Sequence, residues 1–145
     1  RTMANQAKEI IVNGENVALF IPNISTEKRI EFFTKAEDQL QIAAFKMSKD
    51  ENIQPHVHLI NERNIDKTVE IIFVQKGQLT VTFHESEDKN TILDSVTLKK
   101  GDVIFLRSGI HGFIIDKDCR FLEFKQGPFN DSLDKKKLYS QHIER

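Results

Sequence analysis

Apolar and polar residues alternate along most of this chain in short runs, and turn-forming residues separate the runs. Residues 9–12 (EIIV) and 17–22 (VALFIP) flank Asn13-Gly14, a pair suited to the positive φ angles of a tight hairpin. Residues 39–47 (QLQIAAFKM) read as a further strand. TVEIIFVQ and LTVTFHE flank Lys76-Gly77-Gln78, which predicts a second hairpin with Gly77 at its turn. TILDSVTL (91–98) and VIFLRSG (103–109) follow, joined by KKGD. HGFIID and RFLEFKQ then close the β-rich part around Lys117-Asp118-Cys119. Residues 24–36 fit neither period. Only the tail, from about Ser132 to Glu144, carries a helical pattern, with Leu133, Leu138 and Tyr139 as its apolar points.

Eight or nine short strands with regular turns predict an all-β sandwich or barrel. Strands do not alternate with helices, which disfavours a parallel α/β sheet. The 145 residues suit one domain without internal repeats, and a composition 39% hydrophobic and 30% charged argues against disorder. With 21 basic and 22 acidic residues the chain has no overall electrostatic footprint for nucleic acid. No apolar run is long enough to span a membrane, and RTMANQAKEI has no apolar secretory core. Arg1 and Thr2, ahead of Met3, read as an appended remnant. The single cysteine, Cys119, leaves no intrachain disulfide, so a cytoplasmic location is expected.

The chemistry concentrates in PHVHLINERNIDKTVEIIFVQKG, residues 55–77. On a strand, His56 and His58 project from one face and offer a preorganised pair of imidazoles for a divalent metal. Polar segments at 49–55 and 61–67 bracket the pair and place it at a rim. Two carboxylates compete to complete the set. Glu62 lies in a polar stretch, whereas Glu70 opens an apolar run whose direction a sheet would fix. Without metal, the same side chains would form a hydrogen-bonded polar cluster lining a cavity.

Outward from the pair, His-x-His, a glutamate, Gly77, then GDVIFLRSGIHGF (101–113) resembles the two motifs of the cupin superfamily. In those motifs a short gap separates the histidines from a glutamate six residues before glycine; Glu62 fits the short gap, Glu70 fits the six residues to Gly77, and both hold only with an insertion. His56 and His58 match the paired histidines, Gly77 the closing glycine, Gly101 and Gly109 the glycines of the second motif, and His111 its histidine. Arg107 stands where that motif has proline, one residue is missing between Gly109 and His111, and Ile115 replaces asparagine. The resemblance covers roughly residues 38–126. It implies a single-domain cupin jelly-roll β-barrel: residues 1–37 as N-terminal strands packing on it, 38–129 as the barrel, and 130–145 as a short helical tail. It implies a divalent transition metal (Fe, Mn, Ni or Zn) held by His56, His58, Glu70 and His111, with Glu62 folding over the site. The longer 59–67 segment is then an enlarged loop, cheap in closure entropy at about 0.6 kcal/mol per doubling. A homodimer is implied too.

HGF, an acidic loop and KQGP followed by Phe129 are more narrowly similar to small cupins of bacterial surface-polysaccharide and nucleotide-sugar biosynthesis. This implies a small sugar-like or carbonyl metabolite as ligand, with isomerisation or epimerisation as the reaction. A non-catalytic binding module and an iron-dependent dioxygenase are the alternatives.

Other residues receive plainer readings. Arg107 reads first as an exposed edge residue, and second as a cavity residue pairing with an anionic ligand. His84 belongs on an outer face, and His142 in the solvated tail. Cys119 reads as an inert thiol. Most of the eleven phenylalanines are core, with one or two free to wall a cavity.

Overall fold

The computed structural model describes residues 6–139 as an all-β chain. Strands β1 (Lys8–Val12) and β2 (Glu15–Ile21) form the expected N-terminal hairpin, with Asn13 and Gly14 both at positive φ. Two short strands follow, β3 (Ile30–Phe32) and β4 (Ala43–Phe45), paired only with each other. The strand expected over 39–47 is shorter because its first residues serve a turn. The Gln41 amide nitrogen donates to the carbonyls of Lys35 and Asp38, and the Thr34 hydroxyl accepts from Ile42 N.

The body is a six-stranded, curled antiparallel sheet that forms a half-barrel. It contains β1, β2, β5 (Glu70–His84), β6 (Ile92–Lys99), β7 (Val103–Leu106) and β8 (Ile110–Lys125). Here the structure corrects the sequence reading twice. Residues 68–85 are not a hairpin, because β5 runs continuously through Gly77; β8 is likewise one strand, Ile110–Lys125, through Lys117-Asp118-Cys119. The two pair along their whole length, from Glu70↔Lys125 to His84↔Ile110. Register breaks between Val74 and Leu79 mark a bulged bend. Gly77 sits at φ +86°, and a Cβ there would lie 1.9 Å from the Asp118 carbonyl oxygen. Gly77 therefore lets β8 press against β5 at a corner, a use of glycine that local sequence does not distinguish from a turn.

The bend folds the sheet over itself. The first half of β5 pairs with β7, and the second half with β6. One layer then holds β1, β2, β7, the first half of β5 and the second half of β8. The other holds β6, the second half of β5 and the first half of β8. Ile72, Val74, Ile104 and Leu106 from the first layer meet Leu79, Val81, Phe83 and Leu98 from the second in one core. On the convex side of the first layer, Leu19, Val103, Phe105 and Ile71 form a second core under Phe33, Leu40 and Ile42. The Asp102 carboxylate accepts from Lys99 N and Asn23 N, fixing the β6–β7 turn against the end of β2.

Every residue from 48 to 68 is exposed, and 51–66 carries no strand or helix. The strand expected to carry His56 and His58 is absent because no neighbouring strand accepts its backbone bonds. The tail is also shorter than its pattern. A single turn, α1 (Asp131–Asp134), is capped by Asn130, and residues 135–138 are irregular. Leu133 is 81% exposed and buries no face, and the Lys135–Lys137 run adds like charges. Arg1, Thr2, His142 and the tail beyond 139 lie outside the described residues. Among those described, no helix is long and apolar enough to cross a membrane.

Candidate functional site

Glu70 opens β5, between Leu106 of β7 and Lys125 of β8. His111 pairs with Phe83 at the opposite end of the same strand. They are far apart along the sheet, yet His111 Nε2 lies 3.2 Å from Glu70 Oε1. The bend at Gly77 causes this contact, because it lays the two ends of β5 over each other. The same curl brings Phe113 of one layer within 6.2 Å of Phe121 of the other, ring centre to ring centre. Phe113 also packs on His111 at 5.8 Å.

The pair is half-buried, with side chains 16% (Glu70) and 26% (His111) exposed. The hydrogen bond to His111 holds the Glu70 carboxyl below its ordinary value despite its burial, and Lys125, 3.8 Å away, adds its positive charge. Lys125 carries no motif; its only sequence signal is that Phe121, Glu123 and Lys125 alternate on one face. His111 Nδ1 is covered and has no hydrogen-bond partner. A proton on Nε2, directed at Glu70, leaves Nδ1 as a bare lone pair, the form in which imidazole binds metals or accepts protons.

The other sequence-derived candidates lie elsewhere. His56 and His58 are neighbours, with ring centres 5.2 Å apart, in the exposed 51–66 segment. Glu62 is exposed in that segment as well. Among the described residues, no group of three or more His, Cys, Asp or Glu side chains is placed to hold a metal ion. The implied four-residue set is thus present as two separate halves: Glu70 with His111, and His56 with His58.

Arg107 is not the exposed edge residue that its position predicts. Its side chain is only 12% exposed, and it bonds Asp38 through Nε (2.8 Å) and Nη2 (3.1 Å), Glu9 (2.7 Å) and Asn16 (2.9 Å). It follows Phe105 on the convex face, away from Glu70 and His111, and ties the N-terminal hairpin to the 33–42 segment. His84 bonds the Thr82 hydroxyl at 2.8 Å and lies against Tyr139. Burial pushes the Cys119 thiol up, which favours its unreactive protonated form.

No family model matches the chain, and no curated protein or solved structure is significantly similar to it.

Proposed function

We propose that the chain is a metal-binding cupin of jelly-roll type that takes a small sugar-like or carbonyl metabolite where Glu70 meets His111. The observation carrying this reading is the half-buried Glu70–His111 contact with its covered, unpartnered Nδ1. A buried polar atom without a partner costs about 1–3 kcal/mol, so a site keeping one is poised for a ligand. Through Nδ1, a neutral His111 imidazole suits Fe, Mn, Ni or Zn, and His56 and His58 supply the imidazoles that would join it. As the described residues stand, Glu70 lies on the Nε2 side of His111, behind the ligating nitrogen instead of beside the metal.

A bound divalent metal would polarise a substrate carbonyl. The chain's own contribution is the following. Glu70 orients His111 and fixes the proton on Nε2, as carboxylates do for ligating or basic histidines. His111 Nδ1 is then free to ligate, or to take a proton from a carbon next to a carbonyl and return it, the step an isomerase or epimerase needs. Lys125 beside Glu70 offers a cation to a substrate oxygen. Phe113 and Phe121 supply aromatic faces for a sugar ring.

Elemental analysis of untagged protein should find close to one transition metal per chain. Glu70→Ala and His111→Ala should each weaken metal binding at least tenfold, while Glu62→Ala leaves it unchanged. No metal after native loading, or loss on Glu62→Ala alone, would sink the reading.

A further inference from the structure

After β8 ends, residues 126–139 run from one side of the Glu70–His111 contact to the other. The segment is rooted at Gln126, whose side-chain carbonyl accepts from Val69 N at 3.0 Å, one residue before Glu70. Its far end is Tyr139, whose ring centre lies 5.4 Å from that of His84 and whose hydroxyl donates to the Ser86 carbonyl. His84 follows Phe83, the residue that pairs with His111. One anchor is therefore next to Glu70, and the other is next to the strand position opposite His111. Lys125 links the root to the site directly: its Nζ lies 3.8 Å from Glu70 and 4.9 Å from the centre of the Phe129 ring.

Between its anchors the segment is long and loosely held. At about 3.3 Å per residue it can extend to roughly 40 Å, whereas its anchors adjoin side chains that touch, so it arches with slack. No residue of α1 is buried, and Phe129 and Leu133 are 55% and 81% exposed. A cleft of about 350 Å³ separates Leu133 and Asp134 from residues 65–68. The far end is clasped by polar contacts at the surface. Besides the Tyr139 bond, Lys136 pairs with Glu87 at 2.8 Å, and their side chains are 70% and 63% exposed, where water and salt compete with the pair.

We infer that residues 126–139 are a strap that closes over the Glu70–His111 contact and opens from its Tyr139 end to admit a ligand. Gln126 is the fixed root, because its bond to Val69 N is partly buried. Gly127 follows it, and a Cβ there would meet nothing within 4 Å, so the strap lifts at this point without collision. Lys136 and Tyr139 set how readily it lifts. A segment held by a few exposed contacts opens at low cost, and lids over binding sites are drawn from such segments. What the strap admits rests on the proposed function; that it shields His111 does not.

Modification of histidines by diethyl pyrocarbonate, read by peptide mass, tests the strap without reference to metal or substrate. In the wild type, His111 and His84 should react at least tenfold more slowly than the exposed His56 and His58. Lys136→Glu/Tyr139→Phe should raise the His111 rate at least tenfold and the His84 rate with it. His56 and His58 should not change, and the core amides of β5 should stay protected from exchange, because the two substituted residues touch the rim alone. Exchanging the charges in Lys136→Glu/Glu87→Lys should restore the wild-type rates.

Each other outcome is decisive. A wild-type His111 as reactive as His56 overturns the strap. Faster reaction at His84 with none at His111 shows a clasp that covers no site, and faster reaction at neither shows that Lys136 and Tyr139 hold nothing closed; both overturn the inference. A His111 shielded as described, in a protein that binds no metal, overturns the metal reading alone and upholds the strap.

Discussion

Gly77→Ala is expected to cost about 4 kcal/mol or more and to separate Glu70 from His111. A non-glycine residue at φ +86° costs about 1–3 kcal/mol in backbone strain alone. The added Cβ would also sit 1.9 Å from the Asp118 carbonyl oxygen, which is backbone and cannot swing away. Either β8 lifts from β5 at the corner, or the corner opens. Both outcomes reduce the overlap between the layers that brings the ends of β5 together. Against a total stability of about 5–15 kcal/mol, this is a large fraction. Gly14→Ala is the control: its φ is +77°, but open space surrounds it, so about 1 kcal/mol is expected. Urea midpoints of the two variants decide the matter, with the His111 ring resonance reporting the site. Equal losses would show that the corner is not forced by contact with Asp118.

Arg107→Ala should cost about 3 kcal/mol at neutral pH, because it strands the Asp38 carboxylate, which is only 9% exposed. Arg107→Lys should recover little, since an ammonium cannot reproduce the forked bonds to Asp38 together with those to Glu9 and Asn16. The pair also gives a pH signature. Burial pushes the Asp38 carboxyl up, but the hydrogen bonds from Arg107 and Lys35 N outweigh it, and its value lies below the ordinary one. A carboxyl lowered in the folded state contributes stability that is present above about pH 4 and is lost as pH falls through the lowered folded value. The urea midpoints of wild type and Arg107→Ala should therefore converge on acidification. A gap that stays constant to pH 2 would assign the loss to packing against Phe105 instead of charge.

Sequence reasoning located the strands whose signals are local. Asn13-Gly14 marks one turn, uninterrupted apolar runs mark β2 and β7, and alternation marks the end of β6. It split β5 in two because a glycine that permits a bulge and a glycine that permits a turn look alike; the difference is the Asp118 carbonyl, some forty residues away in sequence. It split β8 because the polar Lys117-Asp118 pair has the look of a turn, whereas here it sits at the bend of a continuous strand. Glu70 on a strand and Glu62 in a loop follow from the apolar run after one and the polar run around the other, and they are so placed. The resemblance to cupin motifs groups Glu70 with His111, but strand order does not give their contact, which depends on the curl. Arg107 was misread because its partners, Glu9, Asn16 and Asp38, come from three distant segments. His56 and His58 have strand chemistry without a strand, because pairing depends on a neighbour that sequence does not reveal.

The pairing of Ala18 with Leu106, and of Phe20 with Ile104, has a consequence for how the chain is made. The β1–β2 hairpin is translated some eighty residues before β7, the strand onto which it docks. An isolated two-stranded hairpin is at best marginally stable, so residues 8–21 stay unsettled until β7 is translated. Contacts this distant in sequence slow folding. A ribosome stalled before residue 103 would hold a nascent chain without β7, the strand inserted between β2 and β5, and so without Ile104 and Leu106 of one core and Val103 and Phe105 of the other.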